Sequence, residues 1–477
     1  MKKSSLYNPK LTIKDFAELV SSQSISCEEL TEITLDRIRK LNPKLNGFIT
    51  ILEDSAKHDA KDADASIRRG KYKGPLHGVP ISLKDLIYVK GVKSTSGSKI
   101  LADFVPDYDS TVVRKLKEAG AIIVGMNNTH EFACGITNIN PHYGPSRNPW
   151  DDSRMSGGSS GGSAVAVSAG MSLASIGTDT SGSIRVPSSL CGVFGLKPTY
   201  GRVSKYGVMP LAPSIDHIGP ICRSPWDIAA VMQHIAGYDS HDPNSANAPV
   251  PNYIDEVEKT QGKFRLGIPK QFFFDIIDPK VKHTFDSFVE RAESCQISST
   301  HVDVDQTDKI YETWRAIRLG ESATTHNEWL RTRHDDYGKD VAKMLDDGLK
   351  ITAVHYISAH KWRQEIRGAI LRAMKPYDAL LVPTTPIAAP LLDQSTVHLD
   401  GKDIEVYPVL SRLTTVFDVT GLPALNIPAG LVDNRLPVGV QLVGRPFDEA
   451  RLIQIAERYE QQYHVSEEMV PALNVTA

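Results

Sequence analysis

An α/β layered fold, with helices on both faces of one sheet, is predicted by two observations. Short apolar runs bounded by glycine and proline recur along the chain, and helical periodicities lie between them. A third observation removes a competitor: nothing repeats at a period of about 20 to 50 residues, so a solenoid is excluded. The 477 residues are 41% hydrophobic and 23% charged, enough to bury a large core beneath an ordinary polar surface. The expectation is one domain, 1–477, with an N-terminal helical segment (about 1–70) packed on the core.

The elements follow in order. Leu11, Phe16, Leu19 and Val20 are spaced for one buried helical face. A second helix opens at a Ser26-x-x-Glu29 capping box, and Leu30, Ile33, Ile38 and Leu41 continue its apolar stripe. From Gly74 the pattern changes. HGVPISLKDLI, AIIVGMN from Ala121, MSLASIGTD from Met171, and later FRLGIP, ALLVPTTP, ALNIPAG and PVGVQLVG read as buried strands. Helical patterns lie at Ser110 to Ala119, Trp226 to Ala236, Pro279 to Ser294 and Ala353 to Met374. The polar stretch from Tyr238 to Lys263 reads as a surface excursion with strands on both sides.

Composition narrows the function classes. A formal net charge of -3 gives no positive excess to neutralise a phosphate backbone, so direct nucleic-acid binding is not expected. The opening MKKSSLYNPKL carries lysines without a following apolar run. Ala164 to Gly177 is the longest weakly polar stretch and falls short of the ~18 apolar residues of a membrane span. A cytoplasmic protein that does not enter a membrane is expected. Cys27, Cys134, Cys191, Cys222 and Cys295 are an odd number with no CxxC pair, which argues against disulfides and structural zinc.

The candidate chemistry sits in two Gly/Ser segments. Gly157 to Ser163, GGSSGGS, opens directly into a run of small residues, which a flexible linker does not usually do. Twenty-four residues beyond Ser159, in GTDTSGSIRVPSS, an apolar strand ends at Gly177 and Thr180, Ser181 and Gly182 set consecutive backbone N–H groups before Ser183. Acyl transfer needs donors beside a hydroxyl, because the tetrahedral oxyanion must be held as it forms; one donor is worth about 2.7–4 kcal/mol. A serine nucleophile also needs a base. Lys84, beside Asp85 in an otherwise apolar run, is a candidate, since burial can lower a lysine pKa by roughly 3–5 units. An edge-strand lysine or a structural Lys84–Asp85 ion pair accounts for the run equally well.

Other motifs are weaker. GGSSG matches GxSxG, but the polar RNPWDDSRM before it does not suit a strand-borne nucleophile elbow. His130 and Glu131 begin an HExxH whose last position is Cys134; His355 and His360 are spaced wrongly for one helical face; no GxxxxGK[ST] loop is present. No metal and no organic cofactor is expected.

GVPISLKDLI, NPWDDSRMSGGSSGGSAVAVSAG and GTDTSGSIRVPSSLCGVFGLKPTYGRVSKYG together resemble the three blocks of the amidase signature family, in the same order. VPTTP and GLPALNIPAG extend the resemblance over nearly the whole chain. It implies one domain with a mixed central β-sheet covered by helices on both faces. It also implies Ser183 as nucleophile, Ser159 as a proton relay in a cis peptide, Lys84 as base, and an oxyanion hole at the N–H groups of Thr180, Ser181, Gly182 and Ser183. NTHEFACG is placed beside the acyl pocket.

Within the family, EWLRTRHDDYGKDV and the helical ITAVHYISAHKWR resemble stand-alone bacterial amidases more than the glutaminase (A) subunit of glutamyl-tRNA(Gln) amidotransferase. Lys343 and Met344 stand near a basic pair of that subunit, and Ser411 stands near its acidic glutamine-binding residue. The expected activity is hydrolysis of a linear or aryl amide to carboxylate plus ammonia or amine. The glutaminase subunit, or a carbamate or ester hydrolase, is the alternative; intact Lys84, Ser159 and Ser183 argue against a silent scaffold. The expected partner is a small-molecule amide substrate, with no nucleic acid bound directly, no membrane, and a homodimer as a possible assembly.

Overall fold

The structure, a computed structural model, describes residues 10–473; the opening MKKSSLYNP lies outside the described residues. Helix α1 (Ile13–Ser21) is capped by Thr12 and Asp15. Helix α2 (Cys27–Leu45) starts at the expected box, with Glu29 N–H donating to Ser26 Oγ at 3.0 Å; such a cap stabilises a helix by about 1 kcal/mol. There follow β1 (Phe48–Ile51), α3 (Glu53–Arg68), β2 (Pro80–Lys84), α4 (Thr111–Glu118) and β3 (Ile122–Asn127). A hairpin of β4 (Arg147–Asn148) and β5 (Asp151–Met155) leads to α5 (Gly161–Ser168), β6 (Ala174–Asp179), α6 (Arg185–Cys191), β7 (Phe194–Lys197), β8 (His217–Cys222) and α7 (Pro225–Ile235). The second half holds β9 (Phe264–Pro269), α8 (Pro279–Ser294), β10 (Ile297–Val302), α9 (Ile310–Thr325), α10 (Ala353–Met374) and β11 (Ala379–Pro383). It ends with the hairpin β12 (Thr396–Leu399) and β13 (Lys402–Glu405), then β14 (Ala424–Val432), β15 (Leu436–Val443) and α11 (Glu449–Tyr463).

One sheet of eleven strands, ordered β1-β3-β2-β6-β8-β7-β14-β15-β11-β9-β10, runs through the molecule. It is mixed: β2 is parallel to β3 and β6, whereas β8 is antiparallel to β6 and β7, and β14 to β15. The expected single α/β domain with helices on both faces is what the chain forms.

Strand alternation sorts the faces. Ile81, Leu83 and Ile123 join one apolar cluster with residues of α4, α7, α8 and α11. Ile122 and Val124 join another, under α2, α3 and α5. Lys84 follows Leu83 and so points to the α5 side.

Helix α5 is built wholly of small residues, all buried. The close approach is the reason: a Cβ on Gly162 would stand 2.4 Å from the carbonyl oxygen of Asn128 and 2.5 Å from that of Gly47. The stretch from Tyr238 to Lys263 is less superficial than expected. It carries a short helix, Tyr253–Glu258, with Tyr253 1% exposed, and Asp239 and Asp242 are buried. Among the described residues no helix is long and apolar enough to cross a membrane.

Candidate active site

The three expected residues come from two strand ends and a helix start. Parallel strands β2 and β6 pair Leu83 with Ile176, so they finish together, Lys84 on one and Thr178 and Asp179 on the other. Ser159 and Ser160 immediately precede α5, and the Gly158–Ser159 peptide is cis. Ser160 ties the pieces together: its N–H donates to the Ser183 carbonyl (3.1 Å) and its hydroxyl to the Thr178 carbonyl (3.1 Å). The Ser159 carbonyl accepts from Thr129 Oγ1 at 2.8 Å and from the His130 amide at 3.3 Å.

Lys84 is fully buried, with Nζ 2.7 Å from Ser159 Oγ and 2.8 Å from Thr178 Oγ1. Among the described residues no carboxylate lies within ion-pair distance of it. Desolvation therefore dominates and lowers its pKa from the usual 10.5 to about 7, against the weaker pull of Asp179 and Asp216. At neutral pH a large share of the amine is unprotonated, and its lone pair can accept the Ser159 hydroxyl proton across the 2.7 Å contact.

Asp85 is no partner of Lys84. Its carboxylate turns to the next loop, where it accepts from the Thr95 amide at 3.0 Å and from the Thr95 hydroxyl. Burial raises its pKa to about 7. The structural ion pair and the edge strand are both excluded, since β2 lies between β3 and β6.

The turn from Thr180 to Ser183 is fixed from several sides. Thr180 Oγ1 donates to Asp216 Oδ1 (2.6 Å), the Trp314 indole N–H to Ser181 Oγ (2.8 Å), and Thr414 Oγ1 to the Ser181 carbonyl (2.7 Å). Gly182 has φ +114°, and a Cβ there would fall 2.2 Å from Thr414 Oγ1, so no other residue fits. The Gly182 N–H donates to Asp179 Oδ1 at 2.5 Å. The N–H groups of Thr180, Ser181 and Ser183, and the Ser183 hydroxyl, donate to nothing among the described residues. Ser183 is 3% exposed.

Beneath the turn lies a buried charge cluster. Arg185 pairs with Asp179 (Nε–Oδ2, 3.0 Å) and Asp418 (Nη2–Oδ2, 2.6 Å), and its Nη1 donates to Gln441 Oε1 at 2.9 Å. Burial alone would raise the Asp179 pKa, but the guanidinium outweighs it and holds Asp179 below the ordinary carboxylate range.

A cavity of about 310 Å³ reaches the site, lined among others by Leu86, Ala133, Thr178, Thr180, Met209 and Asp216. Ala133 brings the THEFACG segment to it. The rest of that segment is structural: His130 bonds Asp340 (2.9 Å), and Glu131 accepts from Ser98 Oγ and the Gly338 amide, both at 2.7 Å. Lys343 is exposed and paired with Asp347, Met344 packs in an apolar cluster, and Ser411 is buried.

Residues that sequence reasoning missed are Thr178, Arg185, Trp314, Thr414 and Asp418. Thr178 and Arg185 sat in plain view in GTDTSGSIR, where a buried strand ends in polar side chains. Trp314, Thr414 and Asp418 carry no local signal; they arrive from more than 130 residues away.

The sequence profile described as Amidase matches residues 29–453. The A subunit of glutamyl-tRNA(Gln) amidotransferase from Geobacter sp. (strain M21) is 38% identical, over 95% of this chain and 98% of that one. A chain solved in work on a vestigial protein complex and the origins of an s-triazine catabolic enzyme superposes with a TM-score of 0.91 at 31% identity, over 95% and 99%. The A subunit of glutamyl-tRNA(Gln) amidotransferase from Thermotoga maritima gives 0.79 at 33%, over 95% of each chain.

These relatives correct two expectations. A closer likeness to stand-alone amidases than to the glutaminase subunit is not supported. The partner expectation, a small-molecule amide with no nucleic acid and a homodimer, is overturned, because the curated relatives are subunits of an enzyme named for a tRNA. Net charge failed as a guide because it is a property of one chain, whereas a subunit can reach nucleic acid through its assembly.

Proposed function

The chain belongs to the amidase family, and on that premise we propose that it hydrolyses a carboxamide through an acyl-enzyme on Ser183, as the ammonia-releasing subunit of an amidotransferase. The observation that carries the chemistry is the 2.7 Å contact between Ser159 Oγ and a buried lysine amine without a counter-ion among the described residues. Neutral Lys84 takes the Ser159 proton as Ser159 takes that of Ser183, and Ser183 Oγ attacks the carbonyl carbon. The oxyanion forms against the free N–H groups of Thr180, Ser181 and Ser183; the Gly182 N–H, held by Asp179, shapes the turn instead. As the C–N bond breaks, the proton returns from Lys84 through Ser159 to the leaving amine. Water then enters along the same relay and releases the carboxylate.

The amidotransferase role rests on relatives that match almost end to end. The cytoplasm is the compartment it implies. A carbamate, ester or other amide substrate is a second reading, favoured by Lys343, Met344 and Ser411, which stand near the basic pair and the acidic residue of the glutaminase subunit.

Fluorophosphonate labelling followed by mass spectrometry tests the chemistry: the adduct is expected on Ser183, and its absence from folded protein overturns the mechanism. Ammonia release from glutamine, measured with the chain alone and with amidotransferase partner subunits added, tests the role. Release that rises on addition supports it; release from other amides only would transfer the chain to the second reading.

A further inference from the structure

Arg318 is a buried cation that the mechanism does not use. It lies on α9, 3% exposed, and among the described residues no carboxylate stands within 4 Å of it. Its Nη2 donates to the Cys134 carbonyl at 2.9 Å, and its Nε has no hydrogen-bond partner. The guanidinium lies 5.4 Å from the Trp314 ring and 5.6 Å from the Tyr407 ring, whose hydroxyl it also meets. The carboxylates whose fields reach this corner are engaged elsewhere, Asp340 by His130 at 2.9 Å, Glu131 by Ser98 Oγ at 2.7 Å and Asp216 by Thr180 Oγ1 at 2.6 Å.

Position gives the cation its meaning. Trp314, one helical turn before Arg318, holds the nucleophile turn through Ser181, and Cys134 closes the THEFACG segment on the other side. Arg318 therefore ties the helix that holds the Ser181 turn to the THEFACG segment, whose Ala133 lines the cavity at the site. A buried guanidinium with spare donors and no counter-ion is costly to keep, and it makes sense where an incoming anion completes it. The planar fork suits a carboxylate, which can accept two N–H groups at once.

We infer that Arg318 binds an anionic group, a carboxylate, on the acyl part of the substrate and so selects amides of acidic acyl chains. This rests on the proposed amide hydrolysis and names the substrate class of that site. Specificity is then carried by one cation on α9, where Lys343 is at the surface and Met344 is apolar.

Binding is the direct test, because it needs no turnover. In a Ser183→Ala background, succinamate is the anionic probe and butyramide its neutral counterpart, with affinity read by calorimetry. Succinamate is expected to bind and butyramide to bind at least tenfold more weakly. Adding Arg318→Met should weaken succinamate roughly 10- to 100-fold and leave butyramide unchanged, while Arg318→Lys recovers part of the preference. The Tm of Arg318→Met should be equal or higher, since an uncompensated charge is removed. Equal affinity for the two probes, or a preference that survives Arg318→Met, overturns the inference. Arg318-dependent binding without succinamate hydrolysis by the unsubstituted chain would leave the anion site standing and count against the hydrolase mechanism.

Discussion

Two cations, Lys84 and Arg185, are equally buried in adjoining parts of the same wall and behave in opposite ways. Arg185 stands between Asp179 and Asp418, and its charge is locked. Lys84 has two hydroxyls at hand and no carboxylate within ion-pair distance among the described residues, and its charge is loose enough for a pKa of about 7. Burial is the same; the neighbours decide whether a positive charge becomes architecture or reactivity. A paired charge holds Asp179, which holds the Gly182 amide and thereby the nucleophile turn. An unpaired one is what the proposed base requires.

Three experiments bear on that contrast, the largest effect first. Lys84→Met should lower kcat by about 10⁴-fold, as loss of a catalytic base does, without lowering Tm; unfolding of this variant would return Lys84 to a structural role. Arg185→Met should destabilise the chain by about 3–5 kcal/mol in urea unfolding, because it strands two buried carboxylates. A stable Arg185→Met variant would show that the turn does not depend on the cluster.

The third effect is graded. Since the amine must be neutral to act, kcat/KM should rise about tenfold per pH unit up to about 7 and level off above it. Stability carries the same sign. The folded lysine has the lower pKa, so the unfolded chain binds more protons between about 7 and 10.5, and stability rises with pH across that window relative to Lys84→Met. Asp85 titrates in the same range, so Asp85→Asn should leave the activity limb in place; its disappearance there would assign the limb to the carboxyl instead.

The same contrast explains what was legible in the sequence. Ser183 and its backbone donors lie in a segment whose glycine pattern is a local signal, the parts expected of Ser159 and Lys84 came from the family resemblance, and the alternation of apolar runs pointed to the layered fold. The pairing of Arg185 with Asp418 and Gln441 needs β7 beside β14 and β14 beside β15, a strand order that no local pattern encodes. Arg318 was missed for the same reason, since only the fold reveals that α9 meets the THEFACG segment. Edge strand β1, FITI, escaped because it has only four residues, and edge strand β10 because ISSTHV is mostly polar and buries only Ile297. Net charge gave no hint of relatives that are subunits of a larger enzyme, because it describes one chain and no assembly.

The register of β2 against β6 has an evolutionary corollary. Lys84 and Thr178 belong to segments 94 residues apart in sequence, yet the hydrogen-bond ladder meters their separation. The intervening loops can lengthen, shorten or diverge without displacing either atom. A single residue gained or lost inside β2 would instead turn the lysine to the opposite face of the sheet. Family members should therefore vary in the loops between these strands, though not in β3 or the Ser159 turn, and hardly at all in their count from the last glycine or proline to the final side chain.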